Sequence, residues 1–241
     1  GIIAEGGAVT NDTTGKITVT GQEGVAMYGT FVQNSSKKVT SDLTNKGTVE
    51  VGDTTATTPL IAMFTNDADG SITTSGTINI GKKSYGIYGP ANRIAMTGGT
   101  MNIGDEGTGI FATGSSDFKS SVTNSEVNLR GGTINVGNNK AVGVFIADDV
   151  AHPLQTEVYN DGTNVNIGTD SFGYVVDSTT GTELKLGASN KGTFATLTTS
   201  LGHDSVYAYS NDRNGAIYSN TKITTAGGKS YAFYAPGKVV N

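Results

Sequence analysis

A repeated strand-like motif constrains the fold of this chain more than any other feature of its sequence. Residues 76–81 read Gly-Thr-Ile-Asn-Ile-Gly, and three residues later comes Tyr-Gly-Ile-Tyr at 85–88. The same order returns at 99–111 and 132–145. Partial copies occupy 17–28, 47–64 and 164–175. Tyr88 and Phe111 hold corresponding positions 23 residues apart, and the longer intervals elsewhere indicate one fixed unit with loop insertions.

A third strand-like segment lies between successive copies, as at 94–97, 127–130 and 156–159. Each repeat is therefore three short strands joined by Gly-rich corners. One such unit cannot bury its apolar face alone, whereas stacked units pair each strand in parallel with its own copy. We predict an all-β fold, a right-handed parallel β-helix with three strands per coil and about eight to nine coils. The right-handed sense follows the usual chirality of parallel crossovers.

The repeat runs through the chain, so we expect residues 1–241 to form a single β-helix segment. Because the chain begins with Gly1 and lacks a basic signal-like start, we expect it to be cut from a longer chain. The longest predicted insertions lie near 53–60, 112–125 and 147–155. Loops at corners disturb a stack of coils little, so these insertions are candidate binding loops.

The strand at 77–80 has an unambiguous alternation of side chains. Ile78 and Ile80 point inward, while Thr77 and Asn79 point outward. The same parity places one row of Thr and one row of Asn on the outer surface, at Thr100, Asn102, Thr133, Asn135 and Asn166. Two interpretations remain open: the amides form a hydrogen-bonded ladder that stabilises the rod, or the flat polar face binds a ligand.

The strand at 85–88 allows two orientations. The last position is usually aromatic, and the position two before it is small. A small residue beside an aromatic one favours space for a buried ring, so we predict that these rings pack in the core. The alternative orientation turns them outward as a row that would stack on sugars. The residues concerned are Tyr28, Phe64, Tyr88, Phe111 and Phe145.

Composition excludes several classes of function. The chain has no Cys and only 2 His, so disulfides, thiolate metal sites and Cys nucleophiles are excluded, and we expect no metal or cofactor. A net charge of -5 argues against nucleic acid as a partner. No apolar run reaches the length of a membrane-spanning helix, so we expect no membrane insertion by this segment.

Three short motifs allow a chemical and a structural interpretation. Asp67-Ala-Asp69-Gly70 is a fragment of a calcium loop and is more typical of a turn. Asp148, Asp149 and His152 cluster in one insertion, either as a weak metal or acid–base site or as a solvated loop. Ser116–Lys119 matches a Ser-x-x-Lys motif by chance in a Ser-rich loop. Phe118 within it remains a candidate binding residue.

An enzyme is the alternative function. Polysaccharide lyases and hydrolases also use β-helices, and they carry carboxylate or Arg/Lys clusters on one face. Arg93 and Arg130 occupy near-equivalent points of their repeats, but no acidic partner repeats with them. We therefore predict a non-catalytic protein, with a carbohydrate-active β-helix enzyme as the alternative.

The repeats at 76–88 and 131–145 resemble those of large type V autotransporter adhesin passengers, above all the fusobacterial outer-membrane type. The resemblance covers most of residues 15–235. It implies an exported, extracellular passenger on the bacterial cell surface, a monomeric rod that presents loops or a flat face. Its implied partners are a host-cell glycan or protein receptor, or the surface of another bacterium. It transfers no binding-residue motif.

Overall fold

The computed structural model describes residues 1–34, 37–55, 57–90, 93–113, 124–147 and 155–241. Within these ranges the chain forms strands, turns and bends and contains no helix. No helix there is long and apolar enough to cross a membrane. Apart from one hairpin, the strands form three faces that wind around a single apolar core.

Face I is a sheet of nine parallel strands. It contains the aromatic strands of the repeat, in the order Ile2–Glu5, Gly24–Thr30, Leu60–Thr65, Tyr85–Gly89, Thr108–Thr113, Val142–Ala147, Phe172–Asp177, Val206–Ser210 and Tyr231–Tyr234.

Face II contains the third strand of each repeat, also in parallel. Its strands are Gly7–Asn11, Ser41–Asn45, Ser71–Thr74, the first parts of Arg93–Ile103 and Asn124–Val136, then Gln155–Asn160, Glu183–Leu186, Ala216–Ser219 and Lys238–Val240.

Face III contains the Thr-x-Asn strands and joins face II through the two long strands that run across both. Its strands are Lys16–Val19, Thr48–Val51, Thr77–Ile80, the second parts of Arg93–Ile103 and Asn124–Val136, Asn164–Ile167, Leu197–Leu201 and Thr221–Thr225. The prediction of a parallel β-helix with three strands per coil is confirmed. Its right-handed sense remains the expectation of the crossover rule.

The register stacks corresponding residues of the repeat on each other. Ile78 pairs with Met101, and Met101 pairs with Ile134 one coil further on. All three side chains are fully buried. The inward alternation predicted at 77–80 is therefore confirmed. Burial of a side chain of this size stabilises the fold by roughly 1.5–3 kcal/mol relative to exposure, so each column contributes along the whole rod.

The corners between faces II and III require glycine. Gly99 has a φ of +74°, and a Cβ on it would lie 2.0 Å from the carbonyl oxygen of Gly76 in the coil before. Both facts exclude a side chain there. The predicted role of glycine at corners is confirmed at this position.

The corners between faces III and I use a different device, which the sequence did not reveal. Non-glycine residues adopt positive φ at this corner in five coils: Lys83, Glu106, the pair Asn139 and Lys140, Asp170, and Asp204. Their backbones pair along the axis; the Lys83 amide, for example, donates to the Asp105 carbonyl at 3.1 Å. Left-handed conformations of such residues are costly, so this repeated hydrogen bonding must hold them.

Two tyrosines enter the core in the later coils. Tyr174 lies beside Gly173, and one coil on the order reverses, with Tyr207 beside Ala208. Large and small residues thus alternate between neighbouring coils, which fills the core without overpacking it. The Tyr207 hydroxyl lies 3.1 Å from that of Thr221, and burial raises the pKa of Tyr207 to about 12.

Of the three predicted insertions, only the one near 53–60 lies largely within the described residues. The insertion near 53–60 connects face III to face I, and its Thr54 amide donates to Lys82 at 3.0 Å. The other two predicted insertions, 112–125 and 147–155, lie mostly outside the described residues. Two insertions were not predicted: an antiparallel hairpin of Val32–Asn34 with Lys37–Val39, and the segment 187–196.

Replacing Ile134 by alanine removes an apolar side chain from the middle of a core column. Because a cavity remains, we expect the free energy of unfolding to fall by about 2–5 kcal/mol, measured by urea denaturation followed by circular dichroism. Thr133 is its outward neighbour on the same strand, and Thr133→Ala should change that energy by less than about 0.5 kcal/mol. Equal losses for the two variants would contradict the assigned orientation.

Candidate functional site

The predicted Asn row exists as a hydrogen-bonded ladder on the outside of face III. The Asn102 amide donates to Asn79 at 2.8 Å, Asn135 donates to Asn102 at 2.9 Å, and Asn166 donates to Asn135 at 3.0 Å. Thr77, Thr100 and Thr133 stack beside them in the same register. These bonds support the stabilising interpretation. The binding role of the two rows stays a prediction.

The ladder ends on a carboxylate. Asn79 hydrogen-bonds Glu50 in the preceding coil, and the Lys16 ammonium lies 3.0 Å from the same carboxylate. The bond from Lys16 outweighs partial desolvation and lowers the pKa of Glu50. Since each amide donates toward the N-terminal coils, a negative group at that end accepts the last hydrogen bond of the series.

The prediction that the aromatic side chains pack in the core is wrong. Ile87 and its equivalents Met63 and Ile110 are fully buried, whereas Tyr88 is partly exposed on face I. Gly86 is small for another reason: a Cβ on it would lie 2.5 Å from the Gly109 carbonyl oxygen of the next coil. The small residue therefore permits close approach of backbones and does not make room for a ring.

The aromatic side chains form an external row, but the rings stack on each other. The centroids of Tyr28 and Phe64 are 5.4 Å apart, those of Tyr88 and Phe111 are 4.9 Å apart, and Phe145 continues the row at 5.0 Å. A sugar stacks on the face of a ring, and these faces are turned toward neighbouring rings. The ring stacking therefore stabilises the rod, and it leaves little ring surface on which a sugar could stack.

The remaining predicted site residues divide into two groups. Phe118, Asp148, Asp149 and His152 lie outside the described residues, so their proposed roles stay predictions. The segment 67–70 forms the expected turn, with the Gly70 amide donating to the Asp67 carbonyl at 2.9 Å. The Lys38 ammonium lies 2.8 Å from the carboxylates of both Asp67 and Asp69. A protein cation therefore occupies the position that the calcium interpretation gives to the metal.

A groove that was not predicted lies between the segment 187–196 and face II and has a volume of about 560 Å³. Its lining includes Tyr159, Glu183, Lys185, Phe194, Tyr218 and Ser219. A volume of this size falls within the range of small-molecule sites.

Long-range hydrogen bonds fix the segment 187–196 over face II. The side-chain amide nitrogen of Asn190 donates to the Glu126 carboxylate at 3.1 Å, and the Arg130 guanidinium donates to the side-chain oxygen of Asn190 at 3.0 Å. Within the segment, the Ser189 hydroxyl accepts from the Thr193 amide at 3.0 Å. The wall of the groove is therefore formed before any ligand arrives.

A column of carboxylates crosses face II. Glu126, Glu157 and Glu183 occupy the same register in three successive coils. The Lys185 ammonium lies 2.9 Å from Glu157 and 2.9 Å from Glu183. It also donates to the Tyr159 hydroxyl at 3.2 Å, which itself donates to Glu157 at 2.8 Å. The lysine thus separates two stacked negative charges.

The electrostatics of this cluster favour binding over proton transfer. Burial alone would lower the pKa of Lys185, but its hydrogen bonds to Glu157, Glu183 and Tyr159 outweigh burial and raise it. An ammonium held in this way remains protonated at neutral pH and is a poor general base. Across the described ranges, no three His, Asp or Glu residues form a group that could hold a metal ion.

One signal in the sequence marks this groove. Two residues, Ser75 and Gly76, separate the face II and face III strands of an ordinary coil, whereas the whole segment 187–196 separates Glu183–Leu186 from Leu197–Leu201. The Gly-Thr-Ile-Asn-Ile-Gly motif is also missing there. A lost motif inside a regular repeat therefore indicates an insertion. The residue types in the insertion did not indicate that it would form a groove.

No protein-family model matches the chain, and no curated protein or solved structure matches it significantly. The resemblance to autotransporter passengers therefore stays a prediction from the repeat.

Replacing Lys185 by methionine leaves Glu157 and Glu183 without the cation between them. We expect the free energy of unfolding to fall by about 1–3 kcal/mol at pH 7, as the cluster is only partly buried. Urea denaturation measures this loss. Lys82→Met removes the more exposed pair with Glu106 and should lower the free energy of unfolding less than Lys185→Met does.

The same variant predicts a pH dependence. Because the pKa of Lys185 is raised, its contribution is complete below the ordinary value of 10.5 and disappears as pH rises through the raised pKa. The difference in the free energy of unfolding between wild type and Lys185→Met should therefore be constant around neutral pH and shrink as pH rises above the ordinary lysine value of 10.5. A gap independent of pH would contradict an electrostatic role for Lys185.

Proposed function

We propose that the chain is a non-catalytic segment of a bacterial cell-surface adhesin. In this proposal it is a rigid β-helical rod that attaches to a host-cell glycan or protein receptor, or to another bacterium. The observation that carries the proposal is the in-register stack of coils with a preformed groove built on its side. A stiff rod holds a binding surface away from the cell that carries it, and a preformed groove lowers the entropic cost of binding.

The charge and composition of the chain support the extracellular location in this proposal. A passenger that crosses the periplasm benefits from the lack of Cys, because a disulfide would block its threading. The net charge of -5 gives no attraction to nucleic acid. The resemblance of the repeats implies that the parent protein exports this segment through its own outer-membrane barrel.

A carbohydrate-active enzyme is less well supported. A hydrolase needs one carboxyl group with a raised pKa as the acid and a second as base or nucleophile. Glu183 lines the groove and Glu157 is its neighbour in the coil before; both pair with Lys185, which remains protonated. This arrangement suits a surface that holds a ligand without transforming it.

Attachment of coated beads tests the proposal. Beads that carry the chain should adhere to epithelial cells or to a second bacterial species well above albumin-coated beads. A variant in which Ser-Gly replaces 187–196, copying the connection at 75–76, should lose attachment by about tenfold or more if the groove is the contact. Coated beads that adhere no better than the albumin control, or polysaccharide cleavage by the chain, would contradict the proposal.

A further inference from the structure

We infer that the outer surface of face I is an interface through which two copies of this chain associate face to face. The inference does not depend on the adhesin function, and it replaces the monomer that the resemblance of the repeats implies. Its evidence is the chemistry of the outward side chains on face I, the shape of that sheet and the area that two such surfaces bury.

Two columns of outward side chains cross face I, and neither contains a charged residue. The register carries one column from Val25 to Tyr231 and the other from Tyr28 to Tyr234, through eight successive strands. Of these sixteen residues, fifteen are Val, Ile, Phe or Tyr, and the remaining one is Thr108. The whole chain is 15% charged, so the lack of charge distinguishes this surface from the rest of the rod.

These apolar side chains reach the solvent. All of them except Thr108 are at least partly exposed, and in the last coil Tyr231 is 56% and Tyr234 58% exposed. At outward positions, face II instead carries Glu157 and Lys185, and face III carries its amide ladder. A contiguous apolar surface along a whole face is uncommon on a monomeric protein and marks a site of interaction.

The surface is large enough for a specific dimer. Nine strands at a spacing of about 4.8 Å give it a length of roughly 40 Å. Along one strand, the partly exposed residues extend from Val142 to Ala147, which is roughly 15 Å at about 3.3 Å per residue. Two such strips would bury about 1,200 Å² in total, the lower end of the range for specific interfaces. We therefore expect a dimer of moderate affinity.

A second copy of the rod matches this surface in shape and in chemistry. Sheets pack face to face at a distance of about 10 Å, with their strand directions within about 30° of each other. A partner that covers the whole strip must be flat, apolar and as long as the rod, and face I of a second copy has these three properties. A twofold axis in the interface sets the surface against itself and closes the assembly at two copies.

A membrane surface fits less well. Apolar surfaces that lie on a bilayer are accompanied by basic side chains that attract anionic lipids. At the corner between faces III and I, Lys82 and Lys83 both lie within 3.5 Å of the Glu106 carboxylate, so these cations are already paired. The net charge of -5 adds no attraction to anionic headgroups.

Sedimentation velocity of the whole chain tests the inference. Samples from about 1 to 100 μM span the dissociation constants expected for an interface of this size. Phe145→Glu and Val175→Glu each place a carboxylate on face I. Thr133→Glu is the matched control, because Thr133 lies in the same coil as Phe145 but points outward on face III. Circular dichroism checks that each variant is folded, and Val175→Glu replaces the smaller side chain in case Phe145→Glu does not fold.

We expect wild type and Thr133→Glu to form dimers with the same dissociation constant. Each face I variant should weaken the dimer by about a hundredfold or more, since the interface would bury two unpaired carboxylates. Wild type that stays monomeric at the highest concentration, assemblies that grow beyond the dimer, or dimers that persist in a folded face I variant would overturn the inference. A monomer that binds phosphatidylglycerol vesicles would also overturn it and would assign face I to a membrane surface.

Discussion

The parallel pairing of each strand with its copy one coil later determines most other features of this molecule. It places like residues on top of each other, so each residue choice is repeated along the axis. Stacking is favourable for Ile78 and Met101 in the core, for the amides of Asn79 and Asn102, and for aromatic rings. It is unfavourable for carboxylates, and face II has Lys185 between Glu157 and Glu183.

The same pairing explains where a binding site can be built. The faces themselves are regular, and on two of them the outward side chains interact with their own copies: the amides on face III and the rings on face I. A groove arises where the repeat is interrupted and a longer connection folds back over a face. The segment 187–196 does so because Asn190 reaches Glu126, 64 residues earlier in the chain. Regular coils supply rigidity, and the interruption supplies a concave surface.

The sequence was sufficient for the architecture because alternation and repeat length are local signals. Ile78 beside Asn79 determines which side faces inward. The orientation of Tyr88 could not be deduced, because both parities of its strand are apolar and the cause, the approach of Gly86 to the next coil, lies between coils. The groove could not be deduced either, since the conformation of its loop depends on hydrogen bonds to distant coils. The candidates Phe118 and His152 lie outside the described residues.

Disulfide formation between introduced cysteines measures the stacking most directly, because the chain has no Cys of its own. Paired strands lie about 4.8 Å apart, within the Cα separation of roughly 4.4–6.8 Å that a disulfide bridges. Asn79 and Asn102 are neighbours in register, whereas Asn135 lies two coils from Asn79. The account predicts rapid oxidation of Asn79→Cys/Asn102→Cys and none within one molecule of Asn79→Cys/Asn135→Cys. Equal oxidation of the two pairs, or oxidation of the second alone, would contradict it.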